Sequence, residues 1–304
     1  MSDQSNETIN LLFCCNRNYA QHLCVALISV LANNPDFQFF VVVASNGDFG
    51  EDGDRIRKSL EIFPNVVLKF ESFQPPPLLS LPTNFHYSTD TYTRLWVDTF
   101  FPNDVTRVLY LDADLIVVGD IAPLWRADLE GKLLGAVSIP GSTRCGFLSI
   151  PEAAGYFNSG ALVIDLVQWR QTGAADEVLS YVAANPEKLI DADQDALNAC
   201  FFARRHSLPS IYNVITPFYF QYHDVGLDEA TLADIQHRAV VVHFNGASKP
   251  WSYMCRHPRT ADYLRYLSMS DWRDFVPPDK TLLNMAKKFV AGLLSERLRR
   301  AIGR

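Results

Sequence analysis

The chain is short of cysteine, of long apolar runs and of positive charge, and each shortage removes a class of protein. Its six cysteines (Cys14, Cys15, Cys24, Cys145, Cys200 and Cys255) form no C-x-x-C pair and no framework of regular spacings. A reducing compartment fits that usage. Cys14 and Cys15, adjacent in an apparent strand, read as small buried hydrophobes. No stretch reaches the roughly 18–20 apolar residues that cross a bilayer. The opening MSDQSNETIN lacks the basic-then-apolar layout of a secretory leader, so a cytoplasmic location is expected. A formal charge of -7 over 304 residues gives no support to a nucleic-acid partner. There is no G-x-G-x-x-G, no P-loop and no internal repeat.

What is present is a 48% hydrophobic chain, ample for a packed core, in which strands alternate with helices. INLLFCCN (9–16) is an apolar strand, followed by a helix on which Leu23, Ala26, Leu27, Val30 and Leu31 share a face. FQFFVVVAS (37–45) and NVVLKF (65–70) are further buried strands, with a polar helix from about Glu51 to Phe63 between them. QPPPLLSLP (74–82) reads as a stiff loop, and STDTYTRLWVDTFFP (88–102) as a helix ended by Pro102. RVLYL (107–111), LLGAVSI (133–139) and FNSGALVIDL (157–166) are strands, DADQDALNACFF (191–202) is a helix, and AVVVHFNGASKPW (239–251) is a strand running into a Gly/Pro loop. This alternation predicts a Rossmann-like, mostly parallel α/β sheet flanked by helices. Ligands of such sheets sit beyond the carboxyl ends of the strands.

Those ends carry the chemistry. Asp112 and Asp114 follow RVLYL one residue apart, where like charges repel unless a cation lies between them. Oxygen ligands suit Mg²⁺ or Mn²⁺, and His243, at the end of another strand, would favour Mn²⁺. The plain alternatives are turn chemistry for the aspartates and a structural role for the histidine. Lys249 lies in HFNGASKPW, where Gly246 permits close approach of backbone to a ligand and the ammonium could offset phosphate charge; alone it reads as a solvated lysine. Asn158 could simply cap a turn. D-x-D after an apolar strand also opens phosphatases of the haloacid dehalogenase type. Those want Thr or Val where Ile116 stands, and a later Gly-Asp-Gly-x-x-Asp that is lacking here.

Taken together, CCNRNYA, TYTRL, LYLDADLIV, FNSGALVIDL, DQDALN and HFNGASKPW, in that order from about Asn10 to about Trp251, resemble glycosyltransferase family 8. That family comprises retaining enzymes of the GT-A fold, among them bacterial lipooligosaccharide galactosyltransferases and glycogenin. The resemblance implies transfer of a hexose from UDP-galactose or UDP-glucose to a glycan or glycolipid, with Mn²⁺, or Mg²⁺ in its place. It implies Asp112, Asp114 and His243 as metal ligands, Lys249 and Gly246 at the diphosphate, Asn16 and Asn18 at uridine, and Ala113 against the ribose. Arg94 and His86 match positions near the donor sugar and phosphates. Asn158, Asp193 and Gln194 match the sugar pocket, with Gln194 facing the anomeric carbon. Two positions depart from the family: Asn16 replaces a frequent Asp, and Ile139 stands where galactosyltransferases place an acceptor-contacting Asp. The readings beside a transferase acting on lipopolysaccharide are a glycogenin-like self-glucosylating primer and an inactive UDP-sugar-binding protein.

Residues 1–276 read as one catalytic domain, and 277–304 as an appended tail, with VPPDK (276–280) a hinge. Residues 280–304 hold seven Lys and Arg against Glu296, a net +6 that leaves the rest of the chain at -13. Leu282, Ala286, Phe289 and Leu293, with Val290, Leu294 and Leu298, follow helical spacing. A basic amphipathic helix of this kind can lie on an anionic membrane surface.

Overall fold

The structure, a computed structural model, describes residues 7–74, 89–220 and 225–291. Seven strands form the main sheet: β1 (Thr8–Cys14), β2 (Gln38–Ser45), β3 (Val66–Ser72), β4 (Arg107–Leu111), β6 (Leu134–Ser138), β7 (Phe157–Asp165) and β8 (Arg205–Leu208). Their order is β3-β2-β1-β4-β7-β6-β8. Neighbours run parallel except where β7 enters between β4 and β6 antiparallel to both. β5 (Leu115–Val117), β9 (Val214–Ile215) and β10 (Val241–His243) make a separate three-stranded sheet in the order β5-β10-β9.

The strands of the main sheet are apolar at consecutive positions because both faces are covered. Their two-residue period sorts side chains to opposite cores. Ile9, Leu11 and Phe13 of β1 join Val41, Val43, Leu109 and Leu111 in one cluster, which takes in the helices Ala20–Asn33, Glu51–Leu60 and Thr260–Leu267 and the small sheet. Leu12 and Cys14 join Val42, Val108, Tyr110 and Leu162 in the other, under Leu166–Thr172, Ala174–Ala184 and Ala192–Phe201.

Two differences from the sequence expectation stand out. The stretch read as an α-helix over 88–102 is a 3₁₀ coil at Thr89–Thr99 that leaves helical geometry at Trp96. Its Thr, Trp and Val residues favour the α-helix weakly, and packing of Tyr92, Leu95 and Val97 into the second cluster fixes its path. The helix expected to reach Phe63 stops at Leu60. The proline-rich loop falls almost wholly outside the described residues.

The chain leaves β1 outward to β2 and β3, then returns to β4 on the other side of β1. That reversal opens a crevice at the carboxyl ends of β1 and β4. Asn16 follows one strand and Asp112 the other. Past β4 the chain crosses through Asp112, Ala113 and Asp114 into β5, where Leu115 pairs with His243 of β10. One short connector thus carries both aspartates along the junction of the sheets and sets them beside the histidine.

The loop after β10 is tied to the last part of the chain. The Asp279 carboxylate accepts the backbone N–H groups of Tyr253 (2.7 Å) and Met254 (3.1 Å). A helix over 282–291 begins just beyond it. Among the described residues no helix is long and apolar enough to cross a membrane.

Candidate active site

A cleft of about 870 Å³ occupies the crevice. Its lining includes Asn16, Arg94, Asp112, Ala113, Asp114, Asn158, Asp193, Gln194, His243, Gly246 and Lys249. Eleven of the residues singled out in the sequence therefore meet in one place. Asn18 is not among the lining residues; it is exposed, its backbone N–H donating to Asn16 Oδ1 at 3.0 Å. His86 lies outside the described residues.

At one end, donor atoms of Asp112, Asp114 and His243 all fall within 4.8 Å of one another. His243 Nε2 is 3.1 Å from Asp114 Oδ1 and 3.6 Å from Asp112 Oδ2. The other oxygen of Asp112 is already engaged: Oδ1 accepts from the Tyr110 hydroxyl at 2.6 Å and from Arg94 Nη2 at 3.2 Å. Oδ2 is left to face the imidazole. The site has room because residue 160 is glycine. A Cβ there would stand 2.2 Å from His243 Cε1 and 2.6 Å from Asp112 Oδ2. Two carboxylates and an imidazole around such a gap form an N,O donor set that fits Mn²⁺ better than Ca²⁺.

Lys249 reaches the same group, Nζ to Asp114 Oδ2 at 2.5 Å and to the Phe244 carbonyl at 2.7 Å. Burial by itself would push the Asp114 carboxyl up, but Lys249 and His243 outweigh it and hold the group well below the usual carboxylate range. Burial likewise pulls Lys249 down, and Asp114 more than restores it. The expected diphosphate lysine is thus lodged on one of the expected metal ligands.

Deeper in, the Arg94 guanidinium carbon sits over the Tyr110 ring, 4.2 Å from its centre. Its Nη1 donates to the Ser159 carbonyl at 2.7 Å. Arg94 Nε is 3.0 Å from Asp193 Oδ2, yet this N–H is aimed at the Thr91 carbonyl, also at 3.0 Å. Asp193 Oδ2 is therefore ion-paired but makes no aligned hydrogen bond among the described residues. Burial pushes the Asp193 carboxyl up to about 7 against the pull of Arg94. An incompletely satisfied buried oxygen on a cleft wall is suited to accept a ligand hydroxyl.

Asp193 owes its position to a strained start of its helix. Ala192 has φ 49°, in the left-handed region, at a cost of about 1–2 kcal/mol. Asp195, wholly buried, accepts the Asp191 N–H at 2.7 Å, the Tyr156 hydroxyl at 2.8 Å and the Arg144 guanidinium. Tyr156 in turn accepts from Gln194 Nε2 at 2.9 Å. Gln194 Oε1 accepts from Asn158 Nδ2 at 2.9 Å and from the Ser159 N–H at 3.0 Å.

The sequence reading did not identify Tyr156, Asp195, Arg144, Asn213 or the spatial role of Gly160. DQDALN contains Asp195 in plain view, but nothing in its spacing separates an anchoring aspartate from a ligand-facing one. Ile139 lines the cleft, as do Ser142 and Arg144, so an apolar side chain stands among polar ones at the expected acceptor position.

Comparison with known proteins agrees with this geometry. The sequence profile of glycosyl transferase family 8 matches residues 10–255. General stress protein A of Bacillus subtilis (strain 168) is 27% identical over 289 residues, 90% of this chain and 98% of that protein. A lipopolysaccharide 1,2-glucosyltransferase of Escherichia coli (strain K12) is 27% identical over 294 residues, 94% of this chain and 85% of that enzyme. Among solved structures, galactosyltransferase LgtC in complex with donor and acceptor sugar analogs superposes with a TM-score of 0.76 at 25% identity, over 89% of this chain and 98% of that one.

Proposed function

Since the chain belongs to glycosyl transferase family 8, we propose that it is a retaining hexosyltransferase moving glucose or galactose from a UDP-sugar to a glycan or glycolipid of the lipopolysaccharide kind. The observation that carries this reading is the union, in one cleft, of an Asp-Asp-His cluster able to hold a cation with a polar wall of Asn158, Asp193 and Gln194. The names of the E. coli relative and of LgtC support a hexose donor, and the former supports a lipopolysaccharide acceptor.

A divalent cation held by Asp112, Asp114 and His243 would offset the negative charge that builds on a departing diphosphate. The chain's own residues do the rest. Lys249 transfers its ammonium from Asp114 to a phosphate, and the open left-handed backbone at Gly246 (φ 80°) lets the nucleotide approach closely. Asp193 Oδ2 accepts from a hexose hydroxyl, Asn158 and Gln194 orient the ring, and Asn16 faces the base. The carbonyl oxygen of Gln194 already accepts from Asn158 and Ser159, which leaves a weak nucleophile weaker still. Attack of the acceptor hydroxyl from the side of the leaving group is therefore preferred over a covalent sugar-enzyme. The new glycosidic C–O bond forms as the bond to phosphate breaks, and the hydroxyl proton passes to the phosphate oxygen. Positioning and charge stabilisation supply the acceleration.

The test is UDP release from UDP-glucose and UDP-galactose with Mn²⁺, with and without sugar acceptors, followed by NMR of the product anomer. An α-linked product is expected; a β-linked one would overturn the reading. Asp114→Ala should lose UDP binding as well as turnover, and full activity in excess EDTA would remove the cation from the scheme.

A further inference from the structure

The amide groups behind the cleft form a directed chain whose direction is fixed by two backbone N–H groups. A backbone amide can only donate. The N–H of Gly160 lies 3.0 Å from Asn158 Oδ1, which makes that atom the acceptor oxygen. The N–H of Ser159 lies 3.0 Å from Gln194 Oε1 and fixes the second amide in the same way. Asn158 Nδ2 must then donate to Gln194 Oε1, as its 2.9 Å separation allows.

Asn213 completes the deduction. Its side chain approaches Asn158 Oδ1 at 2.7 Å, so the atom making that contact is the amide NH₂. The opposite atom, Oδ1, is therefore turned toward His243 Nδ1, 3.0 Å away. An amide oxygen cannot donate, so Nδ1 carries the ring proton. Nε2 is the nitrogen that faces Asp114 and Asp112: a second ring proton there donates to Asp114 Oδ1 at 3.1 Å, and without it Nε2 holds the lone pair that a cation needs. Asn213 is 1% exposed and His243 2%, so water cannot take over either contact.

We infer that Asn213 is a positioning residue for the cation site: it fixes His243 as the Nδ1–H tautomer and presents the Nε2 lone pair between the two aspartates, with its direction set by the Gly160 and Ser159 amides. The inference deepens the cation reading given under Proposed function and rests on it. The same chain runs on through Asn158 to Gln194 and joins the cation end of the cleft to the sugar end. Asn213 is held for this task by its place immediately before β9, whose Val214 and Ile215 pair with Val242 and His243.

The tautomer is read first in the unaltered protein, metal-free, by ¹⁵N NMR of labelled histidine at a pH where the ring is neutral. The Nδ1–H form of His243 is expected, and the Nε2–H form would overturn the inference whether or not a metal binds. Mn²⁺ affinity is then measured from the electron paramagnetic resonance signal of free Mn²⁺. Asn213→Leu removes the acceptor and should weaken Mn²⁺ about 10–100-fold. In the same variant the ¹⁵N measurement should show His243 losing its preference for the Nδ1–H form, which a merely structural loss would not produce. Unchanged affinity in a folded Asn213→Leu protein, or an Nδ1–H preference that survives in it, would overturn the assignment. If Asp114→Ala binds Mn²⁺ like the unaltered protein, it is the cation reading that fails, and the NMR result stands apart from it.

Discussion

Lys249 and Asp114 meet across 135 residues of sequence, Nζ to Oδ2 at 2.5 Å, so that the lysine occupies a carboxylate oxygen that the proposed cation would need. Replacing Lys249 by Met should have opposite effects on two ligands. Mn²⁺ alone should bind about tenfold tighter, because a competing charge is gone, and UDP in the presence of Mn²⁺ about tenfold weaker, because a phosphate partner is gone; each change corresponds to about 1.4 kcal/mol. Calorimetric titration with the metal, then with the nucleotide, separates the two. Weaker binding of both would mean that the lysine shapes the site without contending for it.

Gly160→Ala places a methyl group against His243 and Asp112. The ring's Nδ1 is tied to Asn213, so it can retreat only by giving up that hydrogen bond. Overpacking of this kind costs about 1–3 kcal/mol of stability, visible in denaturant unfolding, and metal affinity should fall in the same protein. Stability and affinity both equal to the parent would show that the ring has somewhere to go.

Asp193 predicts a pH effect with a definite sign. With its pKa raised to about 7 by burial, the folded protein keeps a proton that the unfolded chain releases near pH 4. Its contribution favours folding at low pH and is lost as the pH rises through 7, by at most about 1.4 kcal/mol per pH unit. Asp193→Asn removes that slope. Relative to the parent, the variant should gain stability between about pH 5 and pH 7.5; parallel stability curves would mean that Arg94 keeps the carboxylate ionised throughout.

The start of the C-terminal helix exposes Leu282, Leu283, Phe289 and Val290. Of its basic residues, Lys288 already donates to the Tyr253 carbonyl and lies over that ring. Leu293, Leu294 and Leu298 of the expected apolar stripe lie outside the described residues. Truncation after Asp279 keeps the carboxylate that holds Tyr253 and Met254. It should abolish sedimentation with anionic vesicles, to which each basic residue contributes about 1 kcal/mol, and leave donor hydrolysis intact. Equal partition of both forms would exclude the tail as the anchor.

Six strands of the main sheet were legible because they are long enough for apolar runs and turn signals to register, whereas β8, four residues reading RHSL, was missed. Of the small sheet only β10 was read, within AVVVHF; β5 has three residues and β9 two, too few for any periodicity. Asp112, Asp114 and His243 could be read because carboxylates and imidazole at strand ends are chemically conspicuous. Asn213 and Tyr156 could not, since an amide or a phenol in an irregular segment looks the same whether it faces solvent or orients a ligand. Gly160 was visible as a residue, but its purpose is a space, and space is a property of three segments at once.

The connector from β4 to β5 has one more consequence. Asp114 and His243 are 129 residues apart along the chain, and only the completed junction of the two sheets brings them together. An unfolded chain therefore has no such site to offer, and an ion that needs both groups draws the folding equilibrium toward the native state by mass action. At a hundred times its dissociation constant that gain is about 2.7 kcal/mol. The melting temperature of this protein would then serve as a gauge of free divalent ion, and chelation would appear as lost heat resistance before any sugar is added.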